Sequence, residues 1–108
     1  MSGRGEISPI RILEWNPLDS EEFLSYYGPT GKLELYKIVS HNKRSKEAVL
    51  SASRDITNIS CVEFNPVPSN SLQNIAVGTS FGAVTLIDIR NTSTDFAINN
   101  LKKFGRYI

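Results

Sequence analysis

The 108-residue chain has little of what small metal-binding, secreted or membrane domains need. It contains one cysteine, so neither an internal disulfide nor a thiolate metal cluster can form. No apolar run approaches the roughly 18–20 residues that cross a bilayer, and no apolar leader follows the first residues. We therefore expect no membrane insertion, and a reducing cytoplasmic compartment fits the single cysteine.

The chain also has no large excess of positive or negative charge. Twelve basic and eleven acidic residues leave a net charge of +1. Such a chain has no strong field to attract a polyanion, and we expect no nucleic-acid partner. Apolar residues make up 40% of the sequence, which is typical of a chain that folds.

Residues that could carry catalysis are equally few. His41 is the one histidine and lies in a polar loop, and Cys61 stands among apolar strand residues as a small core side chain. The glycines of residues 78–82 lack the Lys-Ser/Thr pair of a phosphate loop. The acidic group at 19–22 lacks the spacing of a calcium loop. The sequence thus predicts no enzyme, no cofactor and no metal site.

The most informative pattern is an internal repeat. The tetrapeptide Glu-Trp-Asn-Pro at 14–17 returns as Glu-Phe-Asn-Pro at 63–66. In each copy a second apolar stretch follows, and then a third that begins at a glycine, at 31–38 and 82–89. Repeated features in the same order indicate a repeat architecture.

Each copy is predicted to form β-strands. Residues 59–64 are rich in β-branched and aromatic side chains and end at Asn-Pro. Residues 72–78 and 83–89 form a hairpin, and the latter stretch is apolar on both sides, which predicts a strand buried on both faces. Residues 47–51 and 96–98 supply an outer strand to each copy. We expect an all-β chain with four antiparallel strands per unit.

One stretch of the chain resembles a blade of a WD40 β-propeller, on residues 59–66, 75–78 and 84–90. In that family the first strand ends in aromatic-Ser/Asn-Pro and the third in Trp-Asp, where this chain has Ile87-Asp88. The resemblance implies a structural polar role for Asp55 and Asp88. The Gly-His pair of the family is missing and Ser80 replaces a common aspartate, which marks a degenerate blade.

The first copy fits the same scheme more loosely, through Trp15-Asn16-Pro17 and Tyr36. Taken together, the chain is similar to the amino-terminal part of the Mio family of WD40 subunits in the SEA/GATOR assembly. That resemblance implies a scaffold at the periphery of the vacuole or lysosome membrane that takes part in control of the TOR kinase.

These patterns predict a partial WD40 propeller of about two four-stranded blades. Residues 1–8 are expected to be a flexible start, 9–54 an irregular first blade with a basic loop at 41–47, 55–98 a WD40-like blade, and 99–108 the start of a truncated further segment. The predicted blade core consists of Trp15, Val62, Phe64, Val77, Val84, Leu86 and Ile87.

Two functions remain open at this point. A propeller closes with 4–8 blades, so two blades leave apolar faces for other protein subunits or for the rest of the same propeller. This favours a non-catalytic interaction scaffold. The alternative is a β domain that binds a peptide or a phospholipid headgroup through an exposed basic loop, with contacts from His41, Lys43, Arg44 and Lys46.

Overall fold

The computed structural model describes residues 10–67 and 74–98, and every regular element within them is a β-strand. The strands are β1 (Arg11–Asn16), β2 (Asp19–Tyr27), β3 (Lys32–Ser40), β4 (Lys46–Asp55), β5 (Ile59–Phe64), β6 (Ile75–Thr79), β7 (Val84–Asp88) and β8 (Asn91–Ile98). The first four form one antiparallel sheet in chain order, and the last four form a second. The prediction of an all-β chain with four antiparallel strands per unit is confirmed. The segments expected at 1–8 and 99–108 lie outside the described residues.

The two Asn-Pro sequences end the first strand of each sheet in the same way. The Oδ1 atom of Asn16 accepts a hydrogen bond from the backbone N–H of Leu18 at 2.9 Å. The Oδ1 atom of Asn65 accepts one from the N–H of Val67 at 3.0 Å. An asparagine bonded to the backbone two residues ahead forms a local turn, and the proline between cannot donate to a strand ladder. The repeated dipeptide therefore stops both strands at matching points.

Glycines with positive φ close the next hairpin in each sheet. Gly31 has φ 66° and Gly82 has φ 86°, values that favour glycine because it has no Cβ. The N–H of Gly31 donates to the carbonyl of Gly28, and that of Gly82 to the carbonyl of Thr79, both at 3.1 Å. The hairpins β2–β3 and β6–β7 thus turn alike, which keeps the two sheets in matching register.

The hydrophobic core lies between the two sheets. The first sheet contributes Leu24, Tyr26, Leu33 and Leu35, and the second contributes Ile59, Val62, Phe64, Ile75, Val77, Ile87 and Ile89. The backbones of different sheets approach most closely between β1 and β5. A hydrogen bond crosses the core, from the backbone N–H of Ile59 to the hydroxyl oxygen of Tyr26 at 3.3 Å.

A three-residue link, residues 56–58, carries the chain from β4 to β5. The N–H of Ile56 donates to the carbonyl of Gly31 at 2.8 Å, and the Ile56 side chain packs against the core. Asn58 adopts the left-handed conformation, φ 62°, which asparagine tolerates better than most residues. The link therefore joins the fourth strand of one sheet to the first strand of the next by a fixed path.

Two details of the sequence interpretation are wrong. The strand at 83–89 is not buried on both faces, because Val84 and Leu86 are only half-buried while Ile87 is buried. Cys61 is exposed rather than a core residue. Both errors have one cause: the outer face of the second sheet has no neighbour among the described residues.

Candidate interaction surfaces

The strand registers match residues of the first sheet with counterpart residues in the second. Trp15 pairs across strands with Phe23 as Phe64 pairs with Ile75, and the two positive-φ glycines align the third strands. The counterparts on one face are Trp15 and Phe64, Phe23 and Ile75, and Tyr36 and Ile87. Those on the other face are Leu24 and Ala76, Tyr26 and Gly78, Leu33 and Val84, and Leu35 and Leu86. We name the first the front face and the second the back face of each sheet.

The back of the first sheet packs on the front of the second. Leu24 and Tyr26, on the back of the first sheet, are buried in the core, and so are Phe64 and Ile75 on the front of the second. In a sandwich with two-fold symmetry, the same face of both sheets would be buried. The sheets are instead stacked head to tail, which leaves one front face and one back face uncovered among the described residues.

The uncovered front face carries a row of aromatic side chains, which we name the ridge. It consists of Leu13, Trp15, Phe23, Tyr36 and Leu50, with the last four paired in register across β1 to β4. The ring centroids of Trp15 and Phe23 lie 5.1 Å apart, and those of Phe23 and Tyr36 lie 5.3 Å apart in a stacked arrangement. Trp15 is 54% exposed. Leu13 and Leu50 are exposed as well, while Phe23 and Tyr36 between them are half-buried. Exposed apolar side chains grouped in this way are typical of an interaction surface.

Tyr36 is the polar residue within the ridge, between Phe23 and Leu50. Its hydroxyl donates to Oε1 of Glu34 at 3.1 Å. Partial burial, and then the hydrogen bond to the Glu34 carboxylate, raise the pKa of Tyr36 above its ordinary value. Next to it, the Arg11 guanidinium lies 4.5 Å from the ring centroid of Tyr27 and donates to Ser25 at 3.2 Å. Charges of both signs therefore lie beside the ridge, the Arg11 guanidinium and the Glu34 carboxylate.

The uncovered back face forms a shallow depression of about 450 Å³, which we name the groove. Its floor and walls include Cys61, Ala76, Gly78, Val84 and Leu86. The small residues Ala76 and Gly78 stand where the first sheet has Leu24 and Tyr26, which explains the depression. A Cβ on Gly78 would lie 2.7 Å from the Sγ atom of Cys61, so the floor at that point is already closely packed.

The basic loop is a hairpin connection. β3 runs to Ser40 and β4 begins at Lys46, so the connection is shorter than the predicted loop at 41–47. The predicted contact residues His41, Lys43, Arg44 and Lys46 are all exposed. The Nε2 atom of His41 lies 2.8 Å from Oε1 of Glu47. The loop thus offers charge at the surface but no enclosed site.

Two residues expected to serve the blade lie elsewhere. Trp15, predicted to be a core residue, is on the exposed ridge, because its face of the first sheet is not the one that meets the second sheet. Asp55, expected in a structural polar network, has a side chain that is 78% exposed and pairs with Lys32 at 3.0 Å. Asp88 is half-buried and caps its turn, with Oδ1 accepting from the N–H of Arg90 at 3.1 Å.

The other predicted core residues lie in the second sheet. Val62, Phe64, Val77 and Ile87 are buried on the front face. Val84 and Leu86 lie half-buried in the groove.

A polar contact that the sequence did not indicate joins the outer strands of the two sheets. Arg54 of β4 forms an ion pair with Asp95 of β8, and both side chains are largely shielded, at 14% and 28% exposure. Arg54 also donates to the carbonyl of Asp88 at 3.4 Å, and Arg90 donates to the hydroxyl of Ser51 at 3.0 Å. These bonds fix the angle between the sheets at the edge away from β1 and β5.

The acidic group at 19–22 is held by its own surroundings. Asp19 accepts from Lys37 at 2.7 Å, and Glu22 accepts from the Asn16 side chain at 2.8 Å. The hydrogen bond from Lys37, followed by that from the N–H of Glu21, lowers the pKa of Asp19. Within residues 10–67 and 74–98, no three histidine, cysteine or acidic side chains gather where they could hold a metal ion.

Comparison with known proteins leaves the family open. No protein-family model, no curated protein and no solved structure matches the chain. The part of the chain that the structure describes holds no helix capable of crossing a lipid bilayer. The resemblance to WD40 blades and to the Mio family therefore stays a prediction.

Proposed function

We propose that the chain is a non-catalytic protein–protein interaction scaffold, made of two WD40-like blades of a β-propeller. The observation that carries this proposal is the head-to-tail stacking, which leaves the ridge and the groove as two apolar faces that no residue of 10–67 or 74–98 covers. Its partners are further β-sheets, either in other subunits or in the same propeller.

The arrangement of the strands supports this function. In a propeller, four-stranded sheets are placed radially around a centre with their first strands innermost. Here β1 and β5 are the closest strands of the two sheets, and both sheets are meanders in chain order. The short link from β4 to β5 carries the chain from one outer strand to the next inner strand. Each of these features is expected of consecutive blades.

Apolar area supports it as well. Soluble monomers seldom expose contiguous apolar patches beyond a few hundred Å². Ridge residues Leu13 and Trp15 are 63% and 54% exposed, and Phe96 beside the groove is 60% exposed. Burial of these side chains against another sheet is the free-energy source that a scaffold of this kind uses. A role in the SEA/GATOR assembly and in TOR signalling rests on the Mio resemblance alone and is proposed on that basis.

The second candidate, recognition of a peptide or phospholipid headgroup, draws on the exposed basic loop. It makes a different prediction from the scaffold. Reversal of charge at Lys43, Arg44 and Lys46 should abolish binding if the loop is the binding site. It should leave assembly unchanged if the ridge and the groove are the binding surfaces.

The experiment compares two variants in extracts of cells that make the protein. The variant Trp15→Lys places a charge on the ridge, and the triple variant Lys43→Glu, Arg44→Glu, Lys46→Glu alters the loop. We expect the ridge variant to leave its high-mass assembly on size-exclusion chromatography, while the loop variant stays in it. The reverse result, together with loss of flotation on anionic lipid vesicles by the loop variant, would replace the scaffold with the alternative.

A further inference from the structure

The β3–β4 hairpin is longer than its counterpart in the second sheet. Lys37 of β3 is the counterpart of Asp88, at which β7 ends, but β3 continues to Ser40. The three additional residue pairs of β3 and β4 extend the hairpin by about 10 Å. Every residue from 39 to 50 is exposed. We name residues 39–50 the arm.

One edge of the arm is a strand with an open side. β4 is the last strand in the order of its sheet, and within residues 10–67 and 74–98 its only strand partner is β3. An edge strand directs alternate N–H and C=O groups away from the sheet, where another strand can pair with them. Ser51 has no register partner on β3, and this bulge bounds the regular stretch at 46–50. Ser51 and Arg54 are held by the second sheet, so the open part of the edge is 46–50.

The middle of this edge lacks the usual protection against pairing. Native edge strands are blunted by charged residues, by proline or by bulges. Here the charged residues Lys46 and Glu47 stand at one end of the stretch, and Ala48, Val49 and Leu50 follow without charge. Val49 and Leu50 are 41% and 49% exposed. A ribbon of two strands is only marginally stable in water, so a further strand would stabilise the arm.

The register determines which side chains an added strand would meet. Lys46, Ala48 and Leu50 lie on the front face, because Leu50 is paired with Tyr36 of the ridge. An apolar side chain beside Leu50 would continue the ridge by one strand. Lys46 lies about 13 Å further along the same face. Opposite charges on neighbouring strands stabilise a sheet, which favours a carboxylate beside Lys46.

The charge of the arm strengthens this preference. The arm holds three basic residues, Lys43, Arg44 and Lys46, and one acidic residue, Glu47. Oε1 of Glu47 lies 2.8 Å from Nε2 of His41. None of the three cations takes part in an ion pair within residues 10–67 and 74–98. The whole chain has a net charge of +1, so positive charge is concentrated here, where it attracts carboxylates.

From these observations we propose that the arm binds an extended acidic segment of another protein, which adds to the edge of β4 as a fifth strand. Backbone hydrogen bonds supply the affinity in this mode of recognition, and alternate side chains supply the specificity. The segment places an apolar residue beside Leu50 and carboxylates beside Lys46 and the basic loop. Antiparallel pairing, which the sheet uses throughout, puts these carboxylates at the carboxyl end of the segment.

This interaction goes beyond the scaffold function, because it uses a strand edge and the basic loop rather than the ridge and the groove. It also differs from recognition by the loop alone, since the backbone of residues 46–50 makes the contact. The strand addition and the scaffold can therefore fail independently of each other.

The test measures binding of synthetic peptides to the purified protein by isothermal titration calorimetry. The peptides are short and alternate an apolar residue with threonine, the apolar residue being valine, leucine or phenylalanine, and each ends in a run of glutamates. A matched set carries N-methyl groups on the central amides, which removes the backbone donors and keeps the charge. We expect the unmethylated peptides to bind, and methylation to raise the dissociation constant about 10-fold or more.

Two protein variants test the position of the acidic end. Lys46→Glu should raise the dissociation constant about fivefold or more, because it places like charges side by side. Lys32→Glu is the matched control, since Lys32 is an exposed lysine of the same hairpin outside the arm and should leave peptide binding unchanged. Amide hydrogen exchange at residues 46–50 should slow when the peptide is bound, which an attraction to the loop alone would not produce.

Three results would overturn the proposal. The first is no binding by any of the peptides, and the second is equal binding by the methylated set, which would mean that charge alone holds the peptide. The third is flotation of the protein on vesicles that contain phosphatidylserine without binding of the peptides, which would assign the basic loop to a membrane surface. None of these results bears on the scaffold function, which the Trp15→Lys variant tests in extracts.

Discussion

Trp15 and Phe64 occupy the same position in two matching strands, yet Phe64 is buried between the sheets and Trp15 is exposed on the face of the first sheet that does not meet the second. A residue and its counterpart differ this way only when the sheets are stacked in one direction, each back face on the next front face. The repeat therefore explains the exposed tryptophan. It has the position of a core residue, but no sheet within the described part of the chain packs against it.

The hydroxyl of Tyr26 provides a first prediction. It is the acceptor for the buried N–H of Ile59 at 3.3 Å, so Tyr26→Phe leaves that donor without a partner. We expect a loss of about 1 kcal/mol in the free energy of unfolding, the cost of one neutral hydrogen bond. Urea unfolding followed by circular dichroism measures it. Tyr27→Phe, on the half-exposed face, is the control and should change stability little; equal losses in both variants would remove this role from the Tyr26 hydroxyl.

The ion pair between Arg54 and Asp95 should matter more than its exposed counterpart between Lys32 and Asp55. The first pair is largely shielded and links two sheets, whereas the second lies within one sheet with side chains 50% and 78% exposed. Asp95→Asn should cost about 1–2 kcal/mol, and Asp55→Asn less than about 0.5 kcal/mol. Thermal unfolding of both variants at low and high salt checks the order. If the two variants lose equal stability, or if both losses disappear at high salt, then solvent screens the Arg54–Asp95 pair as well.

The contact between Gly78 and Cys61 can be tested by a double-mutant cycle. A methyl group on Gly78 would lie 2.7 Å from the Cys61 Sγ atom, so Gly78→Ala forces the thiol to rotate. We expect Gly78→Ala to lower the free energy of unfolding by about 1 kcal/mol more in the wild-type chain than in the Cys61→Ala variant, which lacks the Sγ atom. The measurement is the free energy of unfolding of the four proteins. Additive effects would show that the groove floor adjusts without cost.

The titration of Tyr36 gives a prediction about pH. Partial burial and the hydrogen bond to Glu34 favour the neutral phenol in the folded chain and raise its pKa. This contribution to stability is fully present below the ordinary tyrosine pKa and is lost as the pH rises through the higher folded value. Glu34→Gln removes the negative charge and should bring the pKa down. A tyrosinate absorbance titration, with Tyr36→Phe subtracted, detects the shift; an unchanged titration in Glu34→Gln would assign it to burial alone.

Much of the fold could be predicted because its signals are local. Two strands end at Asn-Pro, at Asn16 and Asn65, and one hairpin turns at Gly82. Each of these signals lies within a single hairpin, and together they correctly indicate four strands in each sheet. Side-chain alternation likewise tells which residues share a face.

The sequence does not indicate which face of a sheet is covered, because side chains alternate along a strand in the same way whether one face or the other is buried. The sequence predicts Trp15 as a side chain that fills the core of its blade, and Cys61 as core because its neighbours are apolar, yet both are exposed. Both residues lie on the face of their sheet that points away from the other sheet. Such a face is buried only if a further sheet packs against it. The pair of Arg54 and Asp95 was missed for a related reason, because the two residues are distant in sequence and only the stacking of sheets brings them together.

The link at residues 56–58 makes one of two similar contacts permanent. It holds the back of the first sheet against the front of the second at a high effective concentration, so that contact forms however dilute the protein is. A sheet of another chain has no such tether, and its encounter with the ridge or the groove follows mass action. Contacts that separate chains make through the ridge or the groove therefore respond to protein concentration, while the contact between the two sheets does not.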